Sequence, residues 1–318
     1  MILSASRRTD LPNYYSDWFL NRVKEGFLDV RNPFNAGQVS RIPLSPEVVD
    51  CIVFWTKNPG PMLGRLGELS AYDFYFQFTL TGYGADVEAG LPDKQRVLIP
   101  TFKQLAGELG FGRVVWRYDP IFISRRYTPE YHLKAFAKIA GELAGYTDLV
   151  VISFLDMYQK IRKNMERLEV EPMGTEEMLW LAGNMAKTAR DCGMAIESCA
   201  EAVDLSGAGV AHGSCIDIRR IERLTGCRID CQKDGNQRGA CGCAESVDVG
   251  SYNTCLNGCA YCYANVSRAR ILEHSKAFEP NSTVLGPPLK PEDVVRERAV
   301  RSFKVRQMSL FDENGPGR

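Results

Sequence analysis

Short apolar runs rich in β-branched and aromatic residues alternate along the chain with longer stretches in which apolar side chains recur every three or four positions. The runs Ile2–Ser6, Cys51–Thr56, Phe74–Thr81, Val114–Tyr118, Leu149–Phe154 and Met194–Cys199 read as strands. The stretches Tyr15–Glu25, Pro61–Leu69, Asp93–Leu109, Pro129–Leu143 and Thr175–Asp191 read as helices. Strand then helix, repeated, is the pattern of a parallel sheet with crossover helices. Phe74–Thr81 alternates aromatic with polar residues, whereas Leu149–Phe154 is almost wholly apolar, as a strand covered on both faces is. The expectation is an α/β fold, a full or partial (β/α) barrel.

Polar residues gather where these strands end: Ser6, Arg7, Arg8, Thr9 and Asp10; Thr56, Lys57 and Asn58; Arg117 and Asp119; Asp156; and Glu197 to Glu201. In a (β/α) barrel the loops after the strands build the active site, so these residues converge on one mouth. Taken singly, Arg117 and Asp119 would merely pair with each other, and Asp10 would cap the segment before Pro12.

From Gly226 to Tyr252 the pattern gives way to a loop rich in Cys, Gly, Asp, Asn and Arg, in which Val247 and Val249 mark a short seventh strand. Cys255, Cys259 and Cys262 follow at C-x3-C-x2-C spacing, with Tyr261 before the third, and Tyr263–Phe278 looks helical. A tetrahedral zinc site takes four protein ligands, whereas three thiolates on one turn suit a cubane iron–sulfur cluster with one iron open. Structural zinc and unrelated buried thiols are the competing readings.

At 318 residues, 45% hydrophobic and 25% charged, the chain has the composition of a soluble globular protein. Its start, Met1 to Arg8, lacks the apolar core of a signal peptide, and no apolar run reaches spanning length, so a cytoplasmic protein without a membrane segment is expected. The 11 cysteines then point to metal binding or redox work. Lysine plus arginine equals aspartate plus glutamate at 39 each, which leaves the substrate open. Cys199 and Cys215 follow the sixth strand, and Cys241 and Cys243 precede the seventh; together they would hold a second cluster or a zinc. By spacing, Cys227 and Cys231 with Cys241 and Cys243 serve equally well, while Cys51 and Cys192 read as packed core thiols.

The C-x3-C-x2-C run with an aromatic before its last cysteine resembles the signature of the radical S-adenosylmethionine enzymes. The resemblance implies a 4Fe–4S cluster on Cys255, Cys259 and Cys262 whose free iron chelates S-adenosylmethionine. Electrons from a donor such as flavodoxin or ferredoxin then cleave it to a 5′-deoxyadenosyl radical. It also implies that Tyr261 packs near the adenine and that Ser6, Thr9, Asp10, Arg117, Asp119 and Glu197 grip the methionine and ribose. In that superfamily the cluster loop follows the first barrel strand; here it comes after the last, so the barrel looks circularly permuted, with Ile2–Ser6 in place of the usual second strand. The glycine-rich, glutamate-containing motif usual there is absent, and Ser6, Thr9 or Asp10 must substitute. Arg7, Arg8 and Lys57 are available for the phosphates of a nucleic-acid substrate.

The wider pattern resembles the uncharacterised family catalogued as domain of unknown function 1848. The resemblance rests on Ser4 to Pro12, Val53 to Pro59, Trp116 to Ile121, Cys199 to Glu201, Gly213 to Asp217, Lys233 to Arg238, Cys241 to Cys243 and the three-cysteine loop. The cysteines matching 199, 215, 241 and 243 belong to that family's motif set, so the resemblance favours them for a second site. The segment Arg117 to Pro120 is also similar to one in the spore photoproduct lyase group, radical enzymes that repair a thymine lesion in DNA.

Residues 1–278 thus read as the barrel with its cysteine loops, and 279–318 as a linker and tail. Pro280–Pro291 is rich in proline and small polar residues, and Val294–Arg306 is basic and reads as helical. Gln307 to Phe311 resembles the motif by which bacterial replication and repair proteins dock on the DNA sliding clamp, with Gln307 as polar register and Leu310 and Phe311 as apolar anchors; equally, it would plug the barrel. Two functions of other classes stay open: a non-catalytic zinc or iron–sulfur adaptor, and a two-cluster electron-transfer protein.

Overall fold

The computed structural model describes residues 1–265 and 267–305. Its strands are β1 (Ile2–Ala5), β2 (Phe27–Arg31), β3 (Gln38–Pro43), β4 (Cys51–Thr56), β5 (Phe74–Thr79), β6 (Val114–Ile121), β7 (Ile123–Ser124), β8 (Leu149–Phe154), β9 (Val170–Glu171), β10 (Ala195–Cys199), β11 (Ala211–Gly213), β12 (Val247–Asp248) and β13 (Val294–Glu297). Between them run α1 (Leu11–Tyr14), α2 (Ser16–Glu25), α3 (Gly60–Leu63), α4 (Ile99–Leu109), α5 (Pro129–Leu143), α6 (Arg162–Arg167), α7 (Thr175–Asp191), α8 (Ile218–Thr225) and α9 (Arg268–Lys276).

An eight-stranded sheet, wholly parallel, is ordered β11-β10-β8-β6-β5-β4-β1-β12. The fold is therefore α/β, and the last strand of this sheet in sequence lies beside the first, pairing Leu3 with Val247 and Ser4 with Asp248. Because side chains alternate across a strand, each strand feeds two cores. Leu3, Phe54, Phe76, Trp116 and Ile152 pack with Phe102, Phe136 and Leu181 of α4, α5 and α7. Ile2, Val53, Tyr75, Val115 and Val151 face the other way, onto Ile216, Ile221, Ile229 and Ala244. This double cover explains the apolar run in β8. The second face also carries Gln77 and Arg117, which are buried as well.

Some expected elements differ. Pro61–Leu69 splits at Gly64 into α3 and a 3-10 turn over Leu66–Leu69, and Asp93–Leu109 begins with a wide turn over Lys94–Leu98 before α4. The helix expected over Tyr263–Phe278 is shorter, α9, starting at the Ser267 cap. Val294–Arg306 is not helical where described: β13 adds to the antiparallel pair β2–β3 as a third strand. Beyond it, the Phe303 backbone N–H donates to Asp50 (2.8 Å) and its carbonyl accepts from Asp230 (2.8 Å), so the chain stays on the body through these contacts. Gln307, Leu310 and Phe311 lie outside the described residues. No helix among the described residues is long and apolar enough to cross a membrane.

Candidate functional site

The three-cysteine loop leaves β12 and is seated on the loop after β1. Asp248 accepts from the hydroxyls of Ser4 and Ser6 (2.8 Å each) and from the Arg7 backbone N–H (2.9 Å). Two glycines allow the close approach: a Cβ on Gly250 would stand 1.9 Å from Ser6 Oγ, and one on Gly90 would stand 2.5 Å from the Leu256 carbonyl oxygen. Asp10, fully buried, clamps the loop from below. It accepts from Thr56 Oγ1 (2.7 Å), the Lys57 N–H (2.8 Å), Asn257 Nδ2 (3.0 Å) and the Asn13 N–H (3.2 Å). Asn265 closes the other side, its Oδ1 accepting from the Thr254 and Cys255 N–H groups (2.9 Å each) and its Nδ2 donating to the Arg8 carbonyl (2.8 Å) and Cys262 Sγ (3.5 Å).

Cys259 bridges to the backbone of Glu88, which brings a charged network to the thiols. The Glu88 carboxylate, 1% exposed, sits between Lys57 Nζ at 2.8 Å and Lys94 Nζ, and accepts from the Tyr261 hydroxyl and from Thr81 Oγ1 at 2.9 Å. Burial opposes its ionisation, yet the two ammonium groups hold its pKa down to about 2. Lys57 stands 5.4 Å from the Tyr261 ring centroid, within cation–π range. Two cations against one carboxylate leave a net positive charge beside the loop. Burial pushes the Cys255 thiol up, and pushes Cys259 to about 12 against the pull of Lys57, so these two thiols hold their protons.

A second thiol group lies beyond Arg117. Cys199 and Cys215, from the ends of β10 and β11, have sulfurs 2.7 Å apart, and Cys241 and Cys243 join them from the segment before β12. All four are buried. Arg117 Nη1 is 2.7 Å from Cys215 Sγ and its guanidinium also grips Asp119; Arg7 lies by Cys243, Cys215 and Cys241. Cys243 is held below the usual thiol range by its contacts with Cys215 and Cys241, while the same sharing drives Cys215 up.

The structure thus brings Cys255, Cys259, Cys262, Tyr261, Lys57 and Asp10 together, and Cys199, Cys215, Cys241, Cys243, Arg117 and Arg7 together. Ser6 and Asp10 spend their oxygens on the protein, whereas the buried Thr9 hydroxyl has no partner. Arg8 stands over the Tyr252 ring at 5.1 Å. Glu197 stands apart from the three-cysteine loop, packed on Gly213 with its pKa raised by burial and by Asp217. Cys231 turns to backbone carbonyls, away from the quartet. Glu88, Lys94, Asn257, Asn265 and Asp248 were not legible as site residues: Asn257 and Asp248 find their partners more than 240 residues away, and Glu88 and Lys94, though six residues apart, sit in a segment with no motif that joins them to the cysteine loop.

Among the described residues no group of three or more His, Cys, Asp or Glu side chains already stands spaced to hold a metal ion. The donor set of the loop nevertheless fits a cluster: soft thiols on one turn, a neighbouring cationic network and an unpartnered hydroxyl on the adjoining loop. A family model described as a domain of unknown function (DUF1848) matches residues 2–264. No curated protein and no solved structure matches the chain.

Proposed function

Since the chain belongs to the DUF1848 family, whose function is not described, the site must carry the reading, and we propose a radical S-adenosylmethionine enzyme with its 4Fe–4S cluster on Cys255, Cys259 and Cys262. One observation supports it above the rest: the three-cysteine loop is seated at the ends of β12 and β1, beside the net positive group in which partly buried Lys57 and Lys94 flank the buried Glu88. The parallel sheet is read as a partial (β/α) barrel in permuted order.

Cluster and S-adenosylmethionine together would supply one-electron reductive cleavage of the sulfonium, with the electron from an external donor. The chain's own residues bind and orient. Tyr261, held by Glu88, offers a ring face near the loop; the free Thr9 hydroxyl and the excess cation suit a polar, carboxylate-bearing ligand. Ser6 and Asp10 act one step back, by holding the loop.

The surface around the loop favours a nucleobase-bearing substrate. Half-exposed Tyr158 and Tyr263 pair at 5.4 Å, and Arg8 and Lys160 flank the Tyr252 ring at 5.1 and 5.8 Å. Stacking rings beside cations are what unpaired bases and phosphates take. Arg7 and Lys57 are engaged inside, and Arg8, the most exposed of the three at 24%, would turn to phosphate from its 3.7 Å contact with Asp248.

Anaerobic reconstitution tests the reading. A brown protein that yields 5′-deoxyadenosine from S-adenosylmethionine with dithionite, and loses both properties in Cys259→Ala, is expected. A reconstituted protein that holds iron yet cleaves nothing would favour an electron carrier, and one that takes up no iron would end the proposal.

A further inference from the structure

The quartet Cys199, Cys215, Cys241 and Cys243 takes no part in the reading above. Free cysteines are often buried as small apolar residues, and these four do lie in one buried cluster with Ile216, Ile221 and Ala244, but their sulfurs also meet polar donors. A guanidinium nitrogen of Arg117 reaches Cys215 Sγ at 2.7 Å, and the Ile216 backbone N–H points to Cys243 Sγ at 3.4 Å. Cationic and amide donors aimed at sulfur suit a thiolate, and a buried thiolate calls for further compensation. Arg7, on the same cluster, has a buried nitrogen, Nη2, with no partner at all.

The backbones that carry the thiols are pinned as well. The Cys215 carbonyl accepts from the Tyr75 hydroxyl (2.6 Å) and Gln77 Nε2 (2.8 Å), and the Cys243 carbonyl from the Asp234 N–H (2.9 Å). The Cys241 N–H donates to the Arg238 carbonyl (2.9 Å), and Ala244 N–H to the Ile216 carbonyl (3.1 Å). Sulfur spacing then selects the size of what fits. Metal–sulfur bonds of about 2.3 Å in a tetrahedron put the sulfurs about 3.8 Å apart. Cys199 and Cys215 now stand at 2.7 Å, so side-chain rotation of about 1 Å opens the site for a single ion. A cubane, whose four thiolates end on different irons, needs a wider spread, and the Cys199–Cys215 pair at 2.7 Å stands nearer the single-ion spacing.

We propose that Cys199, Cys215, Cys241 and Cys243 form a structural four-sulfur zinc site that ties the ends of β10 and β11 to the segment entering β12. A closed shell of four thiolates leaves no open position, so this ion holds structure and does no chemistry. Arg117 supplies a hydrogen bond to sulfur of the kind such sites draw from their surroundings, and Arg7 adds a nearby positive charge.

The proposal does not rest on the cluster reading, and its test removes that site. The chain carrying Cys255→Ala, Cys259→Ala and Cys262→Ala is expected to purify colourless with one zinc per chain. Replacing the zinc by cobalt should give the visible d–d bands of a tetrahedral thiolate complex, and adding Cys243→Ser should abolish them. Zinc-edge X-ray absorption on the unaltered chain gives a second readout should the triple variant fail to fold: four sulfur neighbours at about 2.3 Å are expected. Iron with sulfide in the triple variant, a zinc with three sulfurs or fewer, or no metal and four freely alkylated thiols would each overturn the assignment.

Discussion

The two thiol groups stand on either side of Arg117 and Asp119, yet they are built on opposite plans. The three-cysteine loop puts its donors on one short turn, so its shape depends on outside clamps: Asp10, Asn265 and the close approach of Gly90 and Gly250. The quartet draws its donors from three distant segments, and its shape depends on the sheet that brings them together. A local loop with borrowed support can leave an iron open to a ligand; a closed shell from separate strands works as a staple. Cationic groups follow the same division. Lys57 and Lys94 share Glu88 beside the loop, whereas Arg117 reaches the quartet sulfur directly.

The largest expected effects break one group and leave the other. Cys259→Ala should remove the iron of the loop completely while zinc at the quartet persists, and Cys243→Ser should do the reverse; metal analysis of the two variants decides. Loss of both metals from either one would show that the groups are not independent.

A smaller effect tests what holds the quartet's neighbourhood. Arg117→Met strips the guanidinium from Asp119 and Cys215, leaving a largely buried carboxylate without its partner, and should cost about 3 kcal/mol in denaturant unfolding at neutral pH. A change under about 0.5 kcal/mol, the range of ordinary surface substitutions, would mean that the pair is idle.

The smallest effect separates thiol chemistry from ordinary acid sensitivity. His132 is buried, with Nε2 donating to the Phe122 carbonyl (2.9 Å) and Nδ1 accepting from the Tyr118 hydroxyl (3.0 Å). Burial lowers its pKa to about 4, below the ordinary value near 6.5. The unfolded chain therefore takes up the proton first. The stability tied to the neutral ring is fully present above pH 6.5 and is lost as pH falls from there toward 4, by at most about 3 kcal/mol. In His132→Gln that slope should vanish from unfolding curves recorded across the window; an unchanged slope would assign the acid sensitivity to other groups.

Much of the frame was legible because period and burial agreed. β4, β8, α5 and α7 have the bounds that their apolar patterns predict, and β12 lies beside β1, an adjacency that a permuted order allows. What stayed hidden depends on contacts without a sequence signal. β2, β3 and β13 mix charged and apolar residues and pair at the edge of the body, so neither period stands out. Spacing left Cys227 and Cys231 level with Cys199 and Cys215, and only the adjacency of β10 and β11 separates them. Glu88 is the sharpest case: a glutamate in a polar loop is normally solvated, and nothing in its neighbours announces that Lys57, from another loop, and Lys94 close on it inside the protein.

The pairing of β1 with β12 also has a consequence in time. Ser4 and its partner Asp248 are 244 residues apart, so a ribosome must emit most of the chain before this edge can zip. Contacts of such long range form late and slowly. Until they do, the three-cysteine loop lacks the strand edge it is seated on, so insertion of the proposed cluster would belong to the last stage of maturation, and a stalled chain would present bare, oxidisable sulfur.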